Sequence, residues 1–347
     1  MKILVIGPSW VGDMVMAQSL YKEIKAVYPG AVIDVVAPEW SYPLIRRMPE
    51  VRNPIVLAVG HNQLGWQIRR RTAKQLAAGN YDRAIVTPRS WKSALIPFFA
   101  GIPKRTGFNG ELRFGLINDR RRLDKKRLNQ TVLRLLALGR ERSAPLPAGV
   151  RFYPELRVEQ ANQRRLIAEL GMRQDRPVVC FCPGAEYGPA KQWPPGYFRK
   201  LAEMLISEGY QVWTMGSAGE ADLGEAIDPG SGEGYLNLCG RTRLEDTVDL
   251  MHLASLVVTN DSGLMHVAAA VGVRVEAIYG SSSPSYTPPL SRSARVHWLG
   301  LECSPCFERQ CPLGHLKCLY EITPERMFES ILASGESKTD WQETVGK

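Results

Sequence analysis

Short β-branched runs alternate with longer amphipathic segments through both halves of this chain, the pattern left by parallel strands covered by helices. In the first half, strands are predicted at Lys2 to Gly7, Val32 to Ala37, Ile55 to Leu57 and Arg83 to Thr87. Apolar residues recur at helical spacing from Val11 to Tyr28, and Pro29-Gly30 supplies the stop. A second helix is predicted from Asn129 to Leu138, after which Ser143-Ala144-Pro145-Leu146-Pro147-Ala148-Gly149, with Pro154 beyond, reads as a linker. The second half repeats the scheme, with buried strands at Pro177 to Cys182, Tyr210 to Met215, Leu256 to Asn260 and Val273 to Tyr279. Helices are predicted there at Tyr197 to Ser207 and Arg243 to His252, and a last one from Thr323 to Leu332 precedes a polar tail from Ser334.

At 347 residues the chain exceeds the usual size of one hydrophobic core. Two α/β domains in tandem are therefore expected, residues 1–158 and 159–325, followed by a C-terminal helix and tail over 326–347. No short-period repeat suggests a solenoid. Hydrophobic residues at 44% and charged residues at 23% exclude a disordered or fibrous chain. The apolar start, Ile3 to Ile6, is too short for a signal peptide, and no later run reaches the roughly 18 apolar residues of a membrane span, so a cytoplasmic protein is expected. Seven cysteines without a signal argue against a disulfide framework.

The net charge of +9 becomes informative when divided. Residues 1–158 carry 27 lysines and arginines against 11 acids, net +16, and the remainder carries 17 against 24, net −7. The basic half suits an anionic partner, either nucleic acid, a phosphorylated small molecule or an anionic membrane, against the plainer alternative of a solvated surface.

Ligands of open parallel sheets bind beyond the carboxyl ends of the strands. The first such loop, Gly7-Pro8-Ser9-Trp10-Val11-Gly12-Asp13, has neither G-x-G-x-x-G nor a P-loop spacing, so a dinucleotide or Walker site is not supported there. It offers Asp13 near a helix start, where the dipole favours the carboxylate. Such a group either caps the helix or accepts a proton from a sugar hydroxyl as a new bond forms.

In the second half, the loop from Cys182 to Pro194 holds Lys191, a compact cation suited to a phosphate that gathers charge on departure. Gly216-Ser217-Ala218-Gly219-Glu220 has small residues that admit a ribose and a carboxylate to accept its hydroxyls. From Thr259, a buried strand delivers Asp261, then Ser262 and Gly263 open a helix carrying His266. Free amides at that start suit a pyrophosphate, with Asp261 placed to hold donor hydroxyls. The structural alternative makes Asp261 an N-cap and His266 a satisfied polar residue.

Five segments, MKILVIGPSWVGDMVMAQSL (1–20), FFAGIPKRTGF (98–108), PGAEYGPAKQWP (183–194), TNDSGLMHVAAA (259–270) and YGSSSPSYTPPLS (279–291), together resemble the glycosyltransferase family 9 heptosyltransferases over nearly the whole chain. PGAEYGPAKQWP is similar to the members that add the second heptose, not the first. The resemblance implies an α/β fold of the GT-B type, with two Rossmann-like domains facing across a cleft. It implies an inverting transfer of L-glycero-D-manno-heptose from ADP-heptose to the first heptose of the lipopolysaccharide inner core, at the cytoplasmic face of the inner membrane. By the same motif matches, Asp13 is the catalytic base and Lys191 the diphosphate-stabilising cation. Glu220 meets the ribose, backbone near Thr242 meets the adenine, and Asp261, Ser262, Gly263 and His266 hold heptose and diphosphate. The basic half then faces a lipid A-Kdo-heptose acceptor, with Lys104-Arg105 and Arg120-Arg121-Arg122 with Lys125-Lys126-Arg127 as candidate contacts to its anionic groups. Alternatives are a GT-B relative that adds the first heptose and a nucleotide-sugar epimerase.

Two segments stand outside that reading. Glu276 interrupts an otherwise apolar strand and needs a partner such as Arg274 or solvent. Cys303, Cys306, Cys311 and Cys318, beside His315, could hold a structural zinc ion, although the spacing is not a standard one and free thiols are the alternative. No D-x-D motif ends a strand, so no catalytic divalent ion is required. The basic residues are not interleaved with an aromatic recognition surface, and no helix-turn-helix, zinc-finger or RNP motif is present, so nucleic acid is not an expected partner. A periplasmic-type binding protein is disfavoured by the missing signal segment.

Overall fold

The computed structural model describes residues 1–60, 63–230, 232 and 234–333. The chain forms two compact units that divide between Arg157 and Val158. In the first, β1 (Lys2–Ile6), β2 (Val32–Pro38), β3 (Val51–Leu57), β4 (Arg83–Val86), β5 (Lys104–Phe108) and β6 (Asp119–Arg121) make one sheet in the order β3-β2-β1-β4-β5-β6. All five pairings are parallel. In the second, β7 (Val178–Cys182), β8 (Gln211–Thr214), β9 (Tyr235–Asn237), β10 (Leu256–Asn260), β11 (Arg274–Ile278) and β12 (Ala294–His297) repeat the topology as β12-β11-β10-β7-β8-β9. Each unit therefore reverses its strand order beside its first strand, between β1 and β4 and between β7 and β10, where a doubly wound sheet opens a ligand crevice.

Central strands read as continuous apolar runs because helices cover both faces. Ile3, Leu4 and Val5 of β1 and all five residues of β7 are buried. Edge strands lack that signature. Asp119-Arg120-Arg121 is a strand at the rim of the first sheet, although its sequence reads only as charge. β9 and β12, the edge strands of the second sheet, escape the hydrophobic pattern for the same reason, and β5, although flanked by β4 and β6, opens with half-buried Lys104 and Arg105. β3 begins at Val51, four residues before the expected strand, with its middle half-exposed.

The unit boundary falls beyond the Pro-rich stretch expected to be the linker, because the chain after it is still tied to the first unit. Glu155 exchanges two hydrogen bonds with the buried Gln18 side chain, at 2.7 and 2.8 Å, and Arg157 N–H donates to the Arg47 carbonyl. Two residues later Glu159 N–H donates to Asp249 Oδ1 at 2.8 Å in the second unit. The last helix, Pro324–Leu332, is capped by Thr323 and buries Met327 and Ile331 in the core of the second unit with Val179, Trp193 and Phe198. The predicted polar tail from Ser334 lies outside the described residues.

Glu276 does sit in a strand, fully buried in β11. Its carboxylate is paired with Arg274 and accepts from His297 Nε2 at 2.6 Å and Ser330 Oγ at 3.2 Å. Arg274 also donates to the Ser330 and Ile331 carbonyls. The buried acid thus ties β11 and β12 to the end of the last helix, which gives a charged residue a reason to interrupt an apolar strand. Among the described residues no helix is long and apolar enough to cross a membrane.

Candidate active site

In the first unit, the helix Val11–Val27 starts directly beyond the carboxyl end of β1. Gly7 makes the turn possible: a Cβ there would stand 2.8 Å from Met14 Cε and 3.3 Å from Val35 Cγ1. Trp10 is the N-cap residue, with extended backbone and no side-chain capping bond, and Asp13 is the third residue of the helix. Asp13 is therefore not the cap. Its half-buried carboxylate belongs to the first turn, near amides that the cap leaves open, and the helix dipole favours its anion.

The second unit gathers most of the remaining candidates at one edge of its sheet. The loop after β7 carries Lys191 and the loop after β10 carries Asp261, on either side of the strand-order reversal. Lys191 Nζ lies 2.5 Å from Asp261 Oδ2, with the side chains 17% and 5% exposed. The loop is fixed from beneath. Buried Asn260 accepts from Trp193 N–H at 3.0 Å and donates to the Pro183 carbonyl at 2.5 Å. Ala190 links two further loops, donating to the Arg309 carbonyl and accepting from Ser281 N–H, each at 3.1 Å. Gly280 must stay small because a Cβ would meet the Ala190 carbonyl oxygen at 2.6 Å. Lys191 also stands 5.0 Å over the Tyr187 ring, which Arg309 approaches at 5.4 Å.

Ser262, not Asp261, is the N-cap of the helix Gly263–Ala270, and its side chain makes no capping bond. Its buried hydroxyl has no partner among the described residues, nor do those of Ser281 and Ser282 after β11, nor Nδ1 of buried His266. Burial lowers the His266 pKa to about 4, with Asp261 opposing and Lys191 reinforcing the shift, so the imidazole is neutral at neutral pH. His266 Nδ1 thus lacks the partner that the structural alternative would give it. Orphaned polar atoms in a native fold call for an explanation, and three on the adjoining loops after β10 and β11 with a fourth on the helix that follows β10, beside a half-buried cation, mark a surface prepared for a polar ligand. Ser281 and Ser282 join the candidates only in the structure, since serines carry no spacing signal; their place in the YGSSSPSYTPPLS segment is the one hint in the sequence.

Glu220 follows β8. Its Oε2 accepts from Ser217 N–H at 2.6 Å and Ser217 Oγ at 2.8 Å, a capping box at the helix start. Its Oε1 presses on Gly184, where an added Cβ would be only 1.5 Å away, so this carboxylate abuts the loop that carries Lys191. Thr242, beyond β9, has a buried hydroxyl without a partner among the described residues. The loops after β8 and β9 are joined by Gly240 N–H donating to the Gly216 carbonyl at 3.0 Å.

Cys303, Cys306, Cys311 and Cys318 are free thiols. Cys318 is the buried member, its thiol pushed up to about 11 by burial and by the other three cysteines, whereas the backbone amides of Leu316, Leu313, Gly314 and His315 hold the Cys311 thiol below its usual value. Among the described residues no group of three or more His, Cys, Asp or Glu side chains is placed to hold a metal ion.

A sequence profile of glycosyltransferase family 9 (heptosyltransferase) matches residues 69–317. The chain belongs to glycosyltransferase family 9. The chain is 46% identical to lipopolysaccharide heptosyltransferase 2 of Salmonella typhimurium strain LT2 over 340 residues, covering 95% of this chain and 97% of the relative. It is 45% identical to lipopolysaccharide heptosyltransferase 2 of Escherichia coli strain K12 over 342 residues, 96% and 98% of the two chains. The solved structure of the E. coli ADP-heptose LPS heptosyltransferase II superposes with a TM-score of 0.84 at 44% identity, covering 96% of this chain and 98% of the other. The fold class is the α/β GT-B type expected from the resemblance, and family membership makes the chain a glycosyltransferase.

Proposed function

We propose that this glycosyltransferase moves L-glycero-D-manno-heptose from ADP-heptose to the first heptose of the lipopolysaccharide inner core, with inversion at the anomeric carbon. The observation that carries the reading is the Lys191–Asp261 pair at the strand-order reversal, surrounded by unpartnered Ser262, Ser281, Ser282 and His266 atoms. A half-buried cation held by one carboxylate can stabilise a leaving diphosphate more as charge builds than in the ground state. The amides at Ser262 and Gly263 add partial positive charge from the helix start. Asp261, beside Lys191, is available to heptose hydroxyls, Glu220 to the ribose and the backbone near Thr242 to the adenine.

Asp13 is the base in this proposal. It stands in the first turn of a helix, where the dipole favours a carboxylate, and it takes the acceptor proton as the hydroxyl oxygen attacks the anomeric carbon and the bond to ADP breaks. The charge on ADP is met by Lys191 and the helix start, so the proposal assigns no step to a divalent ion, and turnover is expected to survive chelation. The names of the relatives at 45% and 46% identity favour the second heptose as the product. The acceptor is amphiphilic, and the reaction is assigned to the cytoplasmic face of the inner membrane.

The test is transfer by the purified chain with ADP-heptose and three acceptor conditions. Heptosyl-Kdo2-lipid A is expected to be consumed with stoichiometric ADP release. Preference for Kdo2-lipid A lacking heptose would reassign the chain as a first-heptose transferase. Conversion of the donor with no acceptor present would favour an epimerase.

A further inference from the structure

Residues 111–115 invert the usual order of polarity. In Glu111-Leu112-Arg113-Phe114-Gly115 the charged Arg113 is buried, while Leu112 and Phe114 beside it are 86% and 71% exposed. Arg113 is held in place: Nη1 donates to the Pro88 carbonyl at 2.8 Å, and Nη2 donates to the Phe108 carbonyl. Gly110 lets this loop close on its neighbour, since a Cβ would stand 2.2 Å from the Arg89 carbonyl oxygen. An arginine pinned between them fixes both apolar side chains outward. Folding of the unit alone gives no reason for that arrangement.

The exposed pair is joined to a wider face by Arg105, which donates to the carbonyls of Leu116 at 2.7 Å and Gly115 at 3.3 Å and lies 5.5 Å over the exposed Phe98 ring. Phe98 continues through Phe99 to exposed Trp66, with ring centroids 5.6 and 5.2 Å apart. Arg120 stands 5.0 Å over Phe114. Arg122, Lys125, Lys126 and Arg127 follow it in the chain, all exposed. Lys104 and Arg121, by contrast, are engaged within the unit, with Glu141 at 2.6 Å and Asp119 at 2.8 Å.

We infer that this face docks the first unit on an anionic lipid bilayer, with Leu112 and Phe114 entering the boundary between headgroups and acyl chains and the surrounding arginines meeting lipid phosphates. Aliphatic and aromatic side chains rimmed by cations are the makeup of an interfacial membrane surface. Charge complementarity selects the bilayer as occupant: the half of the chain that carries this face has a net charge of +16. The role in catalysis rests on the proposed function, since docking would bring the enzyme to a membrane-embedded acceptor.

The experiment uses the full chain and two readouts. Co-sedimentation with phosphatidylglycerol vesicles is expected to exceed that with phosphatidylcholine vesicles and to weaken with salt. Leu112→Ser/Phe114→Ser is expected to lower the partition coefficient on phosphatidylglycerol by about tenfold or more. The control Leu313→Ser, at a 61% exposed leucine of the second unit, is expected to leave it unchanged. Unchanged binding in the double variant, or equal binding to both lipids by the wild type, overturns the inference. In turnover, the double variant is expected to raise KM for vesicle-embedded acceptor several-fold while leaving kcat/KM for deacylated acceptor at the wild-type value. An equal loss with both acceptors would place the loop in the acceptor sugar site and overturn bilayer docking. Absence of transfer by the wild type would defeat the proposed function alone, and vesicle binding would still decide the docking.

Discussion

Lys191 Nζ lies 2.5 Å from Asp261 Oδ2, and the two residues come from the loops on either side of the point where the second sheet reverses its strand order. Removing one partner of such a pair leaves the other as an uncompensated, poorly hydrated charge. Lys191→Ala is expected to lower kcat by about 10²–10³ because the cation acts on charge that develops in the transition state. Lys191→Arg, which keeps the charge but not its compact shape, should recover part of that loss. Steady-state kcat for both variants checks this, and a wild-type kcat in Lys191→Ala would remove the lysine from the mechanism.

Asp13 occupies the third position of its helix, not the cap, so replacing it should leave the fold intact. Asp13→Asn preserves shape and removes the proton acceptor. The expected loss in kcat is about 10²–10⁴, with ADP affinity unchanged by calorimetric titration. Loss of ADP binding together with turnover would instead assign Asp13 to the donor.

The parts of this chain that could be read from its sequence are those where one physical demand dominates. β1, β7 and β10 are largely apolar because both faces are covered, and the helix Val11–Val27 carries its stop at Pro29-Gly30. Asp261, Ser262, Gly263 and His266 follow a buried strand and open a helix, so their convergence was visible in chain order. The 2.5 Å contact of Lys191 with Asp261 was not, because it depends on β7 and β10 lying side by side although 73 residues separate the end of one from the start of the other. Edge strands such as Asp119–Arg121 hide because their polar residues satisfy water and the ladder at once. Arg113 hides for the opposite reason, as a charge that the fold buries against carbonyls.

Glu276 converts that kind of hidden pairing into a stability prediction. Burial raises its pKa, but the hydrogen bonds from His297 and Arg274 outweigh burial and hold the carboxyl below its usual value. A depressed carboxylate contributes stability above its unfolded pKa that is lost as pH falls through the folded one. Glu276→Gln keeps the volume but leaves Arg274 and His297 facing a neutral amide, so the expected destabilisation is on the order of 3 kcal/mol. Urea midpoints at neutral pH measure it, and the gap to wild type should narrow as the medium is acidified below the carboxylate range. A variant as stable as wild type would show that the network adds nothing net.

His266 gives the opposite chemistry the same direction of pH dependence. Burial pushes its pKa down from 6.5 to about 4, Asp261 opposing and Lys191 assisting. In the unfolded chain the imidazole titrates near its ordinary value. Between those limits the unfolded state takes up a proton that the folded state refuses, so stability falls with pH across the window and is insensitive to this group above it. The full effect is on the order of 3 kcal/mol for a shift of this size. His266→Gln removes the titration, so its stability relative to wild type should improve steadily from pH 7 to pH 4. Parallel urea-midpoint curves for the two proteins over that range would show that the folded and unfolded imidazoles titrate alike, and that His266 is not held neutral beside Lys191.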